Sequence, residues 1–214
     1  MFDVYLYSQL RINMRFGSAV NPDPGDEKPE SYISVEFGLL EDEEVRRSIT
    51  FDDVLLRIGK GERIAIIGDY GIGKSMNMRE MYLRLTAMAK KDRSLNAPIH
   101  INLREHWGQR NPSAAITQHA EDIGFGNPPQ LIAAWRAGFV HVLLDGFDEV
   151  AAPGWSGDMA SLRSSRRRAV ELVRQFIKQT PKRAAVVVAG RQNYFDSLKE
   201  LQSAMRVIQA ILKK

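Results

Sequence analysis

The sequence predicts an α/β protein with a mainly parallel central sheet and helices on both faces. Three observations predict it. First, short continuous apolar runs occur at Arg63–Ile67, Ile99–Leu103, Phe139–Leu144 and Ala184–Ala189. Such runs read as strands buried on both faces, as in a parallel sheet. Second, amphipathic stretches separate these runs, and that alternation is the signature of α/β architecture. Third, a glycine-rich segment joins the first run to the first amphipathic stretch. Ligands of such sheets sit at the carboxyl ends of the strands.

Residues 2–16 mix apolar and polar types, with Val4, Leu6, Leu10, Ile12 and Met14 loosely alternating, so residues 1–20 read as an arm or edge strand. Residues 21–30 (Asn-Pro-Asp-Pro-Gly-Asp-Glu-Lys-Pro-Glu) cannot build a core and read as a linker. Residues 31–214 form the main domain. Tyr32–Phe37 alternates with the period of a strand. Ile49–Arg57 is a connecting segment, either strand or helix. Ser75–Lys90 places Met78, Met81, Tyr82, Leu85 and Met88 at helical spacing. Pro112-Ser113 and Pro128-Pro129 each open a helix, the second ending near Gly138. Arg166–Thr180 carries Val170, Val173, Phe176 and Ile177 on one helical face, and Tyr194–Leu212 reads as largely helical.

Composition bounds the function. The 214 residues suffice for one sizeable core, and 44% apolar with 26% charged residues is ordinary for a soluble domain. The net charge of +4 suits anionic ligands without singling out nucleic acid. The absence of cysteine excludes disulfides, thiolate nucleophiles and Cys-based zinc sites. No stretch approaches the roughly 20 apolar residues needed to span a bilayer. The N-terminus lacks a signal-peptide pattern. A cytoplasmic location without a membrane partner is therefore expected.

The glycine-rich segment is Gly68-Asp69-Tyr70-Gly71-Ile72-Gly73-Lys74-Ser75, which fits G-x-x-x-x-G-K-[ST]. Its glycines permit backbone conformations that aim several N–H groups at one anion. The helix that follows adds its positive dipole end. Lys74 can reach the β- and γ-phosphates of a nucleoside triphosphate, and the Ser75 hydroxyl can ligate Mg²⁺. Gly68, Asp69, Tyr70, Gly71, Ile72, Gly73, Lys74, Ser75 and Met76 form the expected nucleotide-binding set. The apolar run ending at Leu144 leads into Asp145-Gly146-Phe147-Asp148-Glu149, the Walker B arrangement. Asp145 falls where it can hold Mg²⁺. A second carboxylate must orient and deprotonate the attacking water. Gly146 separates the first acid from the candidates for that role, Asp148 and Glu149.

Taken together, these segments resemble the NACHT group of signal-transduction NTPases, in the STAND class. The Asp145–Glu149 run matches that family's Asp-Gly-x-Asp-Glu, and Gly68–Ser75 looks like the P-loop of its bacterial members. Tyr32–Val35 resembles the short strand before the nucleotide core, and Ile99–Arg104 the strand ending in Leu-Arg. Ala184–Arg191 resembles the sensor strand, and Tyr194-Phe195 the aromatic pair that follows it. The resemblance covers about residues 31–200. It implies the P-loop three-layer α/β/α sandwich with an additional strand between the Walker A and Walker B strands. It also implies Mg-ATP or Mg-GTP binding, with ATP ahead on family grounds, and slow hydrolysis in a switch that controls assembly. Self-association, or further domains of the same protein, would follow as partners. By the resemblance, Asp148 orients water with Glu149 supporting it, and Arg191 senses the γ-phosphate. An arginine there has its own rationale, since its planar fork suits phosphate oxygens. The helical, winged-helix and repeat domains usual in the family do not follow within the 214 residues.

Two alternatives stand beside the switch. One is an AAA+-like ATPase or related enzyme with fast turnover, against which the Gly146 split argues. The other is a nucleotide-dependent scaffold that does not hydrolyse. Arg163, Arg166, Arg167 and Arg168 cluster at a helix start. A solvated helix end is the preferred reading over nucleic-acid contact, because no aromatic residues are interleaved. His100, His106, His119 and His141 lack zinc-ligand spacing, and His141 reads as a core or edge histidine. The methionines of residues 76–88 read as core packing.

Overall fold

The computed structural model describes residues 35–41, 44–106, 109–147, 170–191 and 208–212. The expected arm at 1–20 and linker at 21–30 lie outside the described residues. In chain order the elements are β1 (Phe37–Glu41), β2 (Glu44–Ile49), α1 (Phe51–Gly59), β3 (Arg63–Ile67), α2 (Lys74–Lys91) and β4 (Ala97–Asn102). A 3₁₀ turn (Leu103–His106) precedes α3 (Pro112–Asp122), α4 (Pro128–Arg136) and β5 (Val140–Asp145). A helix covers 170–179, here α5. Strands β6 (Val186–Gly190) and β7 (Ile208–Leu212) complete the set.

The strands form one seven-stranded sheet, ordered β2-β1-β7-β3-β6-β5-β4. From β7 to β4 all neighbours are parallel, while β1 pairs antiparallel with both β7 and β2. Every residue of β5 and β6 is buried, which is why these segments are continuous apolar runs. The step from β3 to β4 runs one way across the sheet, and the steps to β5 and then β6 run back. Right-handed crossovers therefore put α2 on one face and α3, α4 and α5 on the other. Side-chain contacts agree. On the first face Arg84 of α2 bonds Asp52 of α1 at 2.9 Å and lies 4.9 Å over the Phe51 ring. On the second, Trp135 of α4 meets Phe176 of α5 edge-on at 5.7 Å. The result is the α/β/α sandwich of P-loop NTPases, with β6 as the additional strand between β3 and β5.

Local chemistry sets the boundaries. Asn111 and Asn127 accept from the first-turn amides of Ser113 and Gln130, and a proline follows each cap. The Arg63 guanidinium reaches the carbonyls of Gly61, Thr180, Pro181 and Ala184, tying the amino end of β3 to the turn before β6. No helix among the described residues is long and apolar enough to cross a membrane.

Four expectations need correction. Among the described residues the first strand runs Phe37–Glu41, and Val35 and Glu36 precede it outside any strand, while residues 32–34 of the expected strand lie outside the described residues. A register shift between Leu39 and Leu40 lets both of these neighbours be buried, which breaks simple alternation. Ile49–Arg57 is both strand and helix, divided at Thr50. Thr50 Oγ1 accepts from the Asp53 amide while Asp53 Oδ2 accepts from the Thr50 amide, a reciprocal cap that starts α1. Residues 208–212 are strand, not helix. They fill the gap between β1 and β3, and pairing on both sides overrides helical propensity. Met88 is 44% exposed, and Ala89 takes the buried place at the end of the α2 face.

Candidate phosphate-binding site

Strand β3 ends at Ile67 and α2 begins at Lys74, so Gly68–Gly73 is the turn between them. Gly71 and Gly73 have φ of 80° and 82°, a region that side-chain-bearing residues rarely adopt. Gly73 caps α2, and its carbonyl accepts from the Asn77 amide at 2.9 Å and from Asn77 Nδ2 at 2.8 Å. No acidic residue lies in the first turn of α2, so nothing there offsets the positive helix end. Lys74 Nζ donates to the carbonyls of Gly68 at 2.9 Å and Asp69 at 2.7 Å. The ammonium thus folds back across the loop. Ile72, Ser75 and Met76 are half-buried, and Asp69 and Tyr70 are exposed.

Two further strand ends meet the loop. Ile67 pairs with Gly190 of β6, and Ala189 pairs with Asp145 of β5. Asp145 therefore stands two strands from the loop, about 10 Å at ordinary strand spacing. The Gly68 amide donates to the Gly190 carbonyl, and the amides of Gly146 and Phe147 both donate to the Ala189 carbonyl. Gly146 has φ of 76°, so the residue after Asp145 must turn in the left-handed region. That turn drives the Phe147 ring into the core above Gly190, where an added Cβ would meet ring atoms at 2.3–2.6 Å. Arg191 follows at the end of β6, with its guanidinium 5.1 Å from the centre of the exposed Tyr70 ring.

Asp145 is buried, and its Oδ2 lies 3.9 Å from His100 Nε2, too far for a hydrogen bond. Burial, helped by nearby His119, pushes His100 down to about 3. His100 is therefore neutral at pH 7 and brings no positive charge to Asp145. The oxygen donors Ser75 and Asp145 suit a hard cation such as Mg²⁺, completed by phosphate and water oxygens. No group of three or more His, Asp or Glu among the described residues is arranged to hold a metal by itself.

The geometry gathers Gly68–Met76, Asp145 and Arg191 at the carboxyl ends of β3, β5 and β6. Asp148, Glu149, Tyr194, Phe195 and the Arg163–Arg168 cluster lie outside the described residues. His141 is a core histidine, whose Nδ1 accepts from the Ala185 amide at 3.0 Å. Sequence reading missed the pairing of Tyr70 with Arg191 and the clamp of Asn77 on Gly73. Asn77, a polar residue on the buried face of α2 next to the loop, was the available signal for the second.

Comparison with known proteins adds little. The chain matches no protein-family model and no curated protein. A solved structure of the Aeropyrum pernix Orc1 protein in complex with DNA is similar at 16% identity and a TM-score of 0.47, over 74% of this chain and 41% of that one. The chain thus spans about two fifths of that protein's length. The fold assignment stands on strand order and the loop between β3 and α2.

Proposed function

We propose that the protein binds a magnesium nucleoside triphosphate and hydrolyses it slowly, as a signalling switch of the NACHT kind controlling assembly or effector activation. One observation carries the reading: the strand–loop–helix with left-handed Gly71 and Gly73, beside strand ends bearing Arg191 and Asp145. The amides of Gly71–Ser75 and the end of α2 take the phosphates. Lys74 exchanges a loop carbonyl for phosphate oxygens, and Arg191 contacts the terminal phosphate. Ser75 and Asp145 would hold Mg²⁺, which would supply positive charge against the phosphate oxygens. Asp148 orients the attacking water, with Glu149 supporting it.

ATP is the expected nucleotide, by resemblance to the family. The switch reading predicts turnover of Mg-ATP well below one per second, where ordinary enzymes work at about 10 per second. Asp148→Asn should reduce it further. Steady turnover above one per second would favour a catalytic ATPase instead. Turnover indifferent to Asp148→Asn would remove that residue from the mechanism.

A further inference from the structure

Tyr70 stands at a place where chemistry does not ask for an aromatic ring. A phosphate loop needs backbone amides and small residues, yet Tyr70 projects from it 78% exposed. Its ring is occupied from one side. The Arg191 guanidinium carbon lies 5.1 Å from the ring centre, inside the roughly 6 Å range of a cation–π contact. The two residues come from different strand ends, tied by the Ile67–Gly190 register pair and the Gly68 amide to Gly190 carbonyl bond. The contact therefore joins the terminus of β6 to the turn between β3 and α2.

We infer that Tyr70 is a positioning residue for Arg191, holding its guanidinium over the phosphate loop so that the protein distinguishes triphosphate from diphosphate. This rests on the nucleotide-binding reading above. Arginine carries large rotamer entropy, and contact with an aromatic face limits its orientations, which lowers the cost of presenting its planar fork to phosphate oxygens. The loop amides serve phosphates common to both nucleotides, and Lys74 reaches both the β- and the γ-phosphate. The Tyr70 contact acts on Arg191, the further group at the terminal phosphate.

The test is a double-mutant cycle on nucleotide preference. Affinities for Mg-ATP and Mg-ADP are measured for the parent, Tyr70→Ala, Arg191→Ala and the double variant. Tyr70→Ala should lower the ATP-to-ADP affinity ratio about two- to fivefold, the size of an exposed cation–π contact. Arg191→Ala should lower it more, and adding Tyr70→Ala to Arg191→Ala should cost nothing further. Tyr70→Phe, which keeps the π face, should restore the ratio lost in Tyr70→Ala. Additive losses, or equal loss of both nucleotides in Tyr70→Ala, would overturn the inference while leaving the nucleotide reading intact. Failure of the parent to bind either nucleotide would strike the reading itself.

Discussion

Gly190 tolerates no side chain, although its sequence context marks it only as the end of an apolar run. An added Cβ would lie 2.3–2.6 Å from the Phe147 ring, which is fully buried and has little room to move. Gly190→Ala should therefore destabilise the protein by about 1–3 kcal/mol, as overpacking does. Urea denaturation measures this, and the loss should shrink in a Phe147→Leu background. Equal losses in both backgrounds would show that the ring is not the cause. The histidines give a second prediction. Burial pushes His141 down to about 4, and burial plus a histidine neighbour pushes His100 and His119 to about 3, from the usual 6.5. Between pH 6.5 and 4 the unfolded chain takes up protons that the folded chain refuses. Stability should thus be full above about pH 6.5 and fall as pH drops, by about 1.4 kcal/mol per pH unit for each such histidine. Urea midpoints at pH 7.5 and 5.0 check it, and a flat profile would contradict it.

Elements differ in how much of their structure is written locally. Helices α3 and α4 could be read from sequence because Asn-Pro starts are self-contained signals. The reciprocal cap of Thr50 and Asp53 is equally local, yet an apolar stretch of ambiguous period hid it. Thr50→Ala should cost about 0.5–2 kcal/mol by removing the side-chain acceptor for the Asp53 amide, measured by chemical denaturation. Strand β7 was not legible, because its pairing with β1 and β3 draws on residues remote in sequence. The turn between β3 and α2 was legible since glycine spacing encodes its backbone directly. The Tyr70–Arg191 contact was not, because it joins two strand ends that only the sheet brings together. Arg63 ties elements that the sequence keeps apart. Arg63→Met leaves carbonyls of Gly61, Thr180, Pro181 and Ala184 without this donor and should cost about 1–3 kcal/mol. A loss below a few tenths would show that water replaces the guanidinium.

Across the whole molecule, strand order brings three separate segments to neighbouring strand ends. The order β7-β3-β6-β5 sets the loop, Arg191 and Asp145 on adjacent strand ends, although they are far apart in the chain. The sequence puts each motif after an apolar strand, and ligands of parallel sheets gather at the carboxyl ends of such strands. A ligand that binds only the folded state also stabilises it. At a hundred times its Kd, Mg-ATP should add about 2.7 kcal/mol to unfolding stability. Titration of Mg-ATP into the parent and into Lys74→Ala tests the nucleotide site most directly. Saturable binding by the parent, weakened about 10- to 100-fold in Lys74→Ala as for a lost charge-assisted contact, is the predicted result. Equal binding by the two proteins, or none by the parent, would contradict it.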